Sequence, residues 1–384
     1  MHFVLRSKRV LTGGVIQPAD ILIRHGIIEA ITSHNSRPTA HDFGNQLIVP
    51  GFVDLHSDAV EKEIEPRPGA YFPIDSALVE LDKKLTMAGI TTMFHAVGFN
   101  DEAVAGARST ETAARVICRI AEANREHLFA DNLIHIRFEL TSFVSVAVIK
   151  ELIEKGHVRL FSVMDHTPGQ GQFKSIESWK KFHQPVYKLS DTVADTIIRQ
   201  KQQDKADSYE VVKDMLSFAA SHDLVLLSHD DDTPQKIDLI RDFGVTVSEF
   251  PLNMDVAAYA RSNGIATGMG APNVVRGKSQ SGNISAREMI AQGTCDFLCS
   301  DYHPSSMLQA PFIINRELGI DLSRCFEMVS TTPAKLARLD DRGEIAAGKI
   351  ADLVVIDDHT IPKAVLTLKE GTSVYNGIGC ICGA

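Results

Sequence analysis

At 384 residues, with 44% hydrophobic and 23% charged residues, the chain is long enough to bury one large core, or one large core and one small one. A formal charge of -10 argues against a broad nucleic-acid surface, which needs clustered Lys and Arg, and six cysteines are too few for a disulfide scaffold at this length. No apolar run reaches the roughly 18 to 20 residues of a membrane span, and the charged start from Met1 to Arg9 is unlike a signal peptide. A cytoplasmic protein with no membrane and no nucleic-acid partner is the expectation.

Short strands at Phe3–Leu5, Val10–Leu11, Ile21–Ile23 and Ile27–Ile28, parted by Gly13-Gly14, Pro18 and Gly26, predict a small β unit over residues 1–49. Residues 336–384 predict its other half, because Asp341–Asp357 carries two turn signals and then a buried strand. Between them, residues 50–335 hold apolar, β-branched runs that end in polar residues and lead into helical stretches. These runs are Phe52–Asp58, Thr91–Val97, Leu133–Leu140, Arg159–Met164, Leu224–Ser228, Val245–Phe250, Ile265–Met269 and Asp296–Ser300. Eight such units predict an α/β chain folded as a (β/α)8 TIM barrel, in which chemistry belongs at the C-terminal strand ends. Ser175–Asp214, rich in Lys, Gln and Asp, reads as an insertion or long exposed helices, and no chemistry is read in it.

Polar side chains gather at those strand ends. Residues two apart on a strand share a face, so Asp54, His56 and Asp58 can project together, as a metal site requires. His135, Arg137 and Glu139 repeat the alternation on the third strand. The fourth strand turns sharply after Met164-Asp165-His166, the fifth ends in Ser228-His229-Asp230, the sixth in Glu249-Phe250-Pro251 and the eighth in Ser300-Asp301-Tyr302. His95 on the second strand reads as a satisfied interior residue, Cys295 and Cys299 as packing, and Cys380-x-Cys382 as a reduced surface pair.

Two loops carry cations. After the first strand, Pro66 and Pro68 predict a rigid loop that presents Lys62 and Arg67. After the seventh, Asn273, Arg276 and Lys278 lie in a stretch dense in glycine and hydroxyl groups, read as a polyanion cradle. Gly277-Lys278-Ser279 imitates the close of a nucleotide P-loop, but its opening glycine would fall on Pro272, which rejects that motif.

A strand entered through Pro50-Gly51 and closing on alternating ligand-type side chains resembles the first barrel strand of the amidohydrolase superfamily. The usual form there is His-x-His, and Asp58 replaces the second histidine. The β unit split between the termini resembles that superfamily as well, and implies an amidohydrolase-type barrel with a small β-sandwich domain formed from both ends. The resemblance implies a divalent metal cofactor of one or two ions, zinc first and manganese as the alternative. Its ligands would be His56, Asp58, Glu139, His166, His229 and Asp301, with Glu139 as the third-strand glutamate that several amidohydrolases use in place of the commoner carbamylated lysine. Such ions lower the pKa of a bound water towards about 7, and Asp301 would be the catalytic proton acceptor. Asp54, Arg137 and Glu249 are expected behind the ligands. For Glu249 two roles stay open, ligation in place of a sixth-strand histidine or fixing a histidine tautomer.

The longer stretches are more specific. Asp54-x-His56-x-Asp58 leading to Pro66-Arg67-Pro68-Gly69, Met164-Asp165-His166-Thr-Pro-Gly-Gln170, Ser228-His229-Asp230, Gly268-Met-Gly-Ala-Pro-Asn273-Val-Val-Arg276 and Ser300-Asp301-Tyr302 resemble the ribose-triphosphate diphosphatases of the bacterial carbon–phosphorus lyase pathway. That resemblance implies hydrolysis of α-D-ribose 1-methylphosphonate 5-triphosphate to the 5-phosphate and diphosphate, with Lys62, Arg67, Asn273, Arg276 and Lys278 binding the substrate. It implies a small-molecule ribose triphosphate as partner and leaves a homo-oligomer open. The alternative is an amidohydrolase acting on a C–N bond, a cyclic amidase or deaminase, which would share the ligands but not call for cations in loops one and seven.

Overall fold

The computed structural model describes residues 2–67, 69–99, 109–126, 128–169, 175–187, 189–279 and 283–377. The Cys380-x-Cys382 pair, Pro68 and Gln170 lie outside the described residues. The chain begins with β1 (His2–Thr12), β2 (Val15–Arg24), β3 (Ile27–Ser33), β4 (His41–Asp42) and β5 (Leu47–Pro50). The apolar runs of the middle then become β6 (Phe52–Ser57), β7 (Ile90–Phe99), β8 (Asp131–Glu139), β9 (Val158–Met164), β10 (Val225–His229), β11 (Val247–Glu249), β12 (Ala266–Gly270) and β13 (Phe297–Cys299). These eight strands pair in parallel in sequence order, and helices intervene between them.

The sheet closes on itself. Ser57 and Asp301 form a parallel bridge, Asp58 N–H donates to the Asp301 carbonyl at 2.9 Å, and Asp301 N–H donates to the His56 carbonyl at 2.9 Å. Both faces of such a sheet are covered, which is why its strands read as continuous apolar runs and not as alternation. Val53, Leu55, Phe94, Leu160, Leu227 and Phe297 pack with one another in one core cluster, while a larger cluster joins strands to the surrounding helices.

β14 (Leu353–Asp357), β15 (Lys363–Lys369) and β16 (Thr372–Asn376) return to the N-terminal strands. The order is β16-β15-β14-β5-β1-β2-β3, with β4 beside β1, so both chain ends share one sheet with its own core of Leu5, Ile21, Ile23, Ile48, Leu353 and Val355. Buried charges tie this sheet to the barrel face away from the strand C-termini. Lys369 Nζ lies 3.0 Å from Asp131 and 3.1 Å from Asp352, and Arg342 reaches Asp131 and donates to Thr92 Oγ1 at 2.7 Å. This end of the barrel is occupied by structural ion pairs, which leaves the other for chemistry.

The polar stretch after β9 forms helices Ile176–Tyr187 and Asp191–Ser221, the second capped by the Ser190 hydroxyl accepting from Val193 N–H. They are not simply solvated. Trp179, Ala194 and Ile198 form a buried cluster between them, and Lys201 is buried too. Among the described residues no helix is long and apolar enough to cross a membrane.

Candidate active site

Alternation on β6 sends His56 into the barrel, where its Nδ1 lies 3.0 Å from Oε1 of Glu249 on β11. His135, two residues deeper than Arg137 on β8, donates Nδ1–H to the Leu55 carbonyl at 2.9 Å, and its Nε2 lies 3.7 Å from Glu249 Oε2. That backbone bond fixes the tautomer and leaves a lone pair on Nε2. Arg137 Nη1 stands 3.4 Å from His56 Nε2. Burial holds His56 well below the usual histidine range and His135 down to about 4, so both rings are neutral, the form that ligates metals. Burial likewise pushes the Glu249 carboxyl up.

A second group stands beside it. Asp230 Oδ2 is 3.1 Å from His229 Nδ1 and 3.6 Å from His166 Nε2. Glu139 accepts from the His166 backbone N–H at 3.0 Å and faces its Nδ1 at 2.8 Å. Burial alone would raise the Glu139 carboxyl, but Lys201 and His166 hold it down to about 2. Against the same burial penalty, Glu139 and Asp230 lift His166 to about 9. Asp230, Phe250 and Asp301 end three strands with φ of 52°, 54° and 54°, a conformation that non-glycine residues seldom adopt. It turns the chain inward over the barrel mouth.

Among the described residues His135 Nε2 and Glu249 Oε2 are buried without a hydrogen-bond partner, and they face each other at 3.7 Å. Orphaned polar atoms are costly, and two in one spot call for a partner. Two triads, His56–His135–Glu249 and His166–His229–Asp230, each bring their ligand atoms within 4.8 Å of one another. Imidazole and carboxylate donors suit zinc or manganese, so a divalent ion fits the residues present.

The triads thus unite His56, His166 and His229 of the expected ligand set, and add His135 and Asp230, while Glu249 stands in the first triad. Asp58, Glu139 and Asp301 border the same cleft, whose volume is about 350 Å3, but belong to neither triad. Asp54 sits behind, its Oδ1 accepting from the N–H groups of His56 at 3.2 Å and Ser300 at 3.0 Å. Burial and the neighbouring Asp58 lift Asp301 to about 7.

The cations divide. Lys62 lies on helix Ala59–Ile64, not on the rigid loop expected, because Pro66 comes only after that helix has ended. Its Nζ sits 4.4 Å over the Tyr302 ring and 3.9 Å from Asp58 Oδ1, and Arg276 donates to the Tyr302 hydroxyl at 3.2 Å. The stretch after β12 opens as a helix, Ala271–Arg276, and Asn273, Arg276, Ser279 and Asn283 border the cleft from it and from the segment that follows. Asn273 borders the cleft while bracing the following segment, donating to the Ile284 carbonyl at 3.3 Å and accepting from Ala286 N–H at 3.1 Å. Arg67 and Lys278 are exposed and do not border the cleft. Arg67 bridges to Ala70, and Lys278 follows the left-handed turn at Gly277.

His95 is buried with Nε2 2.7 Å from Asn132 Oδ1, away from the cleft. Cys299 is buried and Cys295 half-buried, both thiols pushed up by burial. Lys201 and His183 also border the cleft without having been singled out from the sequence, and Tyr302, seen there only as part of the eighth strand's end, borders it too.

A model of the amidohydrolase family matches residues 191–378. The chain is 32% identical over 371 residues to the alpha-D-ribose 1-methylphosphonate 5-triphosphate diphosphatase of Escherichia coli, covering 93% of this chain and 96% of that one. This chain belongs to the amidohydrolase family. Another of its relatives, an allantoinase of Streptomyces avermitilis, is 22% identical over 98% of this amidohydrolase and 92% of its own length. Among solved structures, an N-acetyl-D-glucosamine-6-phosphate deacetylase from Mycobacterium smegmatis superposes with a TM-score of 0.66 at 15% identity, covering 97% of this chain and 100% of that one. A dihydropyrimidinase from Brevibacillus agri gives 0.65 at 14%, covering 98% and 95%. These two establish the amidohydrolase barrel with its small β domain as the fold.

Proposed function

We propose that this amidohydrolase cleaves the triphosphate of alpha-D-ribose 1-methylphosphonate 5-triphosphate, releasing diphosphate and leaving the 5-phosphate, as a step of phosphonate catabolism in the cytoplasm. The likeness to the Escherichia coli diphosphatase runs through 93% of the chain. The observation that carries the reading is local. Lys62 and Arg276 converge on Tyr302 at the same cleft that Asp58 and Asp301 border, so phosphate-binding cations stand beside the carboxylates. A cleft built for a neutral cyclic amide has no use for that pair of charges.

The proposed division of labour follows from the side chains. His56, His135 and Glu249, with His166, His229 and Asp230, would hold the divalent ions, zinc or else manganese, and Asp58 and Glu139 would complete or orient them. A divalent ion held there makes water ionise near neutral pH and draws charge from a phosphoryl oxygen. Asp301, bordering the cleft, accepts the proton of the attacking water and returns it to the departing oxygen. Lys62 and Arg276 neutralise the oxygens of the leaving diphosphate. Residues 1–49 and 336–384 would act as one supporting domain and 50–335 as the catalytic one.

Phosphorus NMR of the metal-loaded protein with this ribose triphosphate tests the proposal. Diphosphate and the 5-phosphate are the expected products. Bound metal with no cleavage would overturn it in favour of C–N hydrolysis, to be sought with cyclic amides.

A further inference from the structure

One cation at the cleft lies deeper than the others. Lys62 and Arg276 stand on helices beyond the strand ends, and Lys62 leaves 54% of its side chain exposed. Arg137 instead sits on β8 itself, two residues before the strand ends at Glu139, is only 7% exposed, and borders the same cleft from within the barrel.

Its donors are largely unused. Nη1 stands 3.4 Å from His56 Nε2, a ring nitrogen with no negative charge to offer. Nε is buried without a hydrogen-bond partner, and among the described residues the guanidinium forms no ion pair. A buried cation held in this way is costly, and it presents a planar fork whose geometry suits two oxygens of a phosphoryl group.

The neighbouring strand makes room for it. Gly98 on β7 stands opposite Arg137 in the register of the two strands, and a Cβ there would lie 3.3 Å from Nη2 and 3.9 Å from Nε. Gly98 does not have the positive φ that would itself call for glycine, so what the missing side chain supplies is clearance for the guanidinium.

We infer that Arg137 is a catalytic residue that grips the phosphoryl group under attack, the phosphate nearest the ribose. This rests on the diphosphatase reading. In that reaction the water oxygen bonds to this phosphorus, and the bond from it to the oxygen bridging towards the outer phosphates breaks. The electron pair leaves on diphosphate, and Asp301 takes the proton of the water. Arg137 meets the equatorial oxygens of the attacked phosphorus, where charge is held in the transition state, while Lys62 and Arg276 meet the leaving group. A guanidinium has no lone pair for a metal, so this role is separate from that of the ligands around it.

Binding tests the assignment without turnover. In calorimetry of the metal-loaded protein with ribose 5-phosphate, Arg137→Met should weaken binding by about tenfold or more, whereas Lys62→Met should change it by under about threefold. With the ribose triphosphate, Arg137→Met should lower kcat by about 10^2- to 10^3-fold while KM rises by no more than about tenfold. Arg137→Lys should recover only part of the loss, because an ammonium cannot reproduce the fork. Gly98→Ala leaves every ionisable group in place and should also lower kcat, by crowding the guanidinium. Metal content, measured on each variant, should match the wild type. Metal lost in proportion to activity, or ribose 5-phosphate bound by Arg137→Met as by the wild type, would overturn the assignment and leave Arg137 acting through His56. A wild-type protein that carries metal but releases no diphosphate would fail differently, removing the diphosphatase reading and, with it, the phosphorus that Arg137 is assigned to.

Discussion

Nδ1 of His56 lies 3.0 Å from Oε1 of Glu249, joining the first barrel strand to the sixth across the barrel interior. The glutamate places a carboxylate there, and burial pushes its carboxyl up. Its second oxygen makes no hydrogen bond and faces His135 at 3.7 Å. Glu249→Gln preserves shape and removes the charge. Metal affinity should fall by about 10- to 100-fold, or further if the oxygen ligates directly. Metal content after dialysis against graded chelator measures it, and an unchanged retention curve would show that Glu249 serves only to orient the rings.

Chelation should lower thermal stability as well as activity. An ion that binds the folded chain and not the unfolded one adds its binding free energy to stability. Without it, His166 stands as a cation between Glu139 and Asp230, and the buried His135 Nε2 and Glu249 Oε2 have no hydrogen-bond partner. The melting temperature of the stripped protein should drop by several degrees and return on adding zinc or manganese. A melting curve indifferent to metal would contradict the assignment of the two triads.

Asp301→Asn should cost about 10^2- to 10^4-fold in kcat, the usual contribution of a positioned proton acceptor. The backbone of Asp301 donates to the His56 carbonyl and bridges to Ser57, contacts that the amide leaves intact, so the melt should barely move. Steady-state kinetics beside calorimetry separates the two. A large melting shift with retained kcat would make Asp301 a closure residue of the barrel and not a participant in chemistry.

The barrel was legible because each strand is buried on both faces, which writes it as an uninterrupted apolar run ending where the chain meets the cleft. His56, His166 and His229 were legible for the same reason, since a histidine at the end of such a run has few places to point. Which of the loop cations border the cleft was not legible, because a cation on a loop carries no period: Lys62 and Arg276, on helices, border it, while Arg67 and Lys278 stand exposed outside it. Lys201 and His183 were hidden in the opposite way. Their helices carry mostly polar residues, and what buries them is a small cluster around Trp179 that no regular spacing announces. His135 stood in plain alternation with Arg137 and Glu139, but two steps of that alternation before the strand end at Glu139.

The small sheet holds a pH-dependent pair remote from the cleft. Asp20 is fully buried, bound by Arg6 through two bonds of 2.8 Å and by the N–H groups of Asn35 and Arg37. The Arg6 hydrogen bonds, against the cost of burial, hold its carboxyl down to about 2. Its folded pKa is thus below the unfolded value near 3.9, so its contribution is fully present above about pH 5 and fades as the pH falls towards 2. Asp20→Asn should therefore lower the melting temperature at neutral pH, with the gap from wild type narrowing as acid is added. A gap that stays constant down to the acid limit would mean that packing, not charge, is what the substitution removes.

Gly268 on β12 closely approaches the ring of Phe297 on β13. A Cβ built on Gly268 would lie 2.1 Å from Phe297 Cζ, an overlap that requires the buried ring to move. The ring packs in a cluster with Val53, Leu55 and Phe94, so it has little room to retreat. Gly268→Ala should destabilise by about 1 to 3 kcal/mol, read from denaturant unfolding at unchanged slope. Phe297→Leu alone leaves a void and should also destabilise, but the two changes together should cost less than their sum, because the shorter side chain admits the new methyl group. Strict additivity would show that the glycine is required for its backbone and not for the space it leaves, and would move the cause of this tight approach from the ring to the strand.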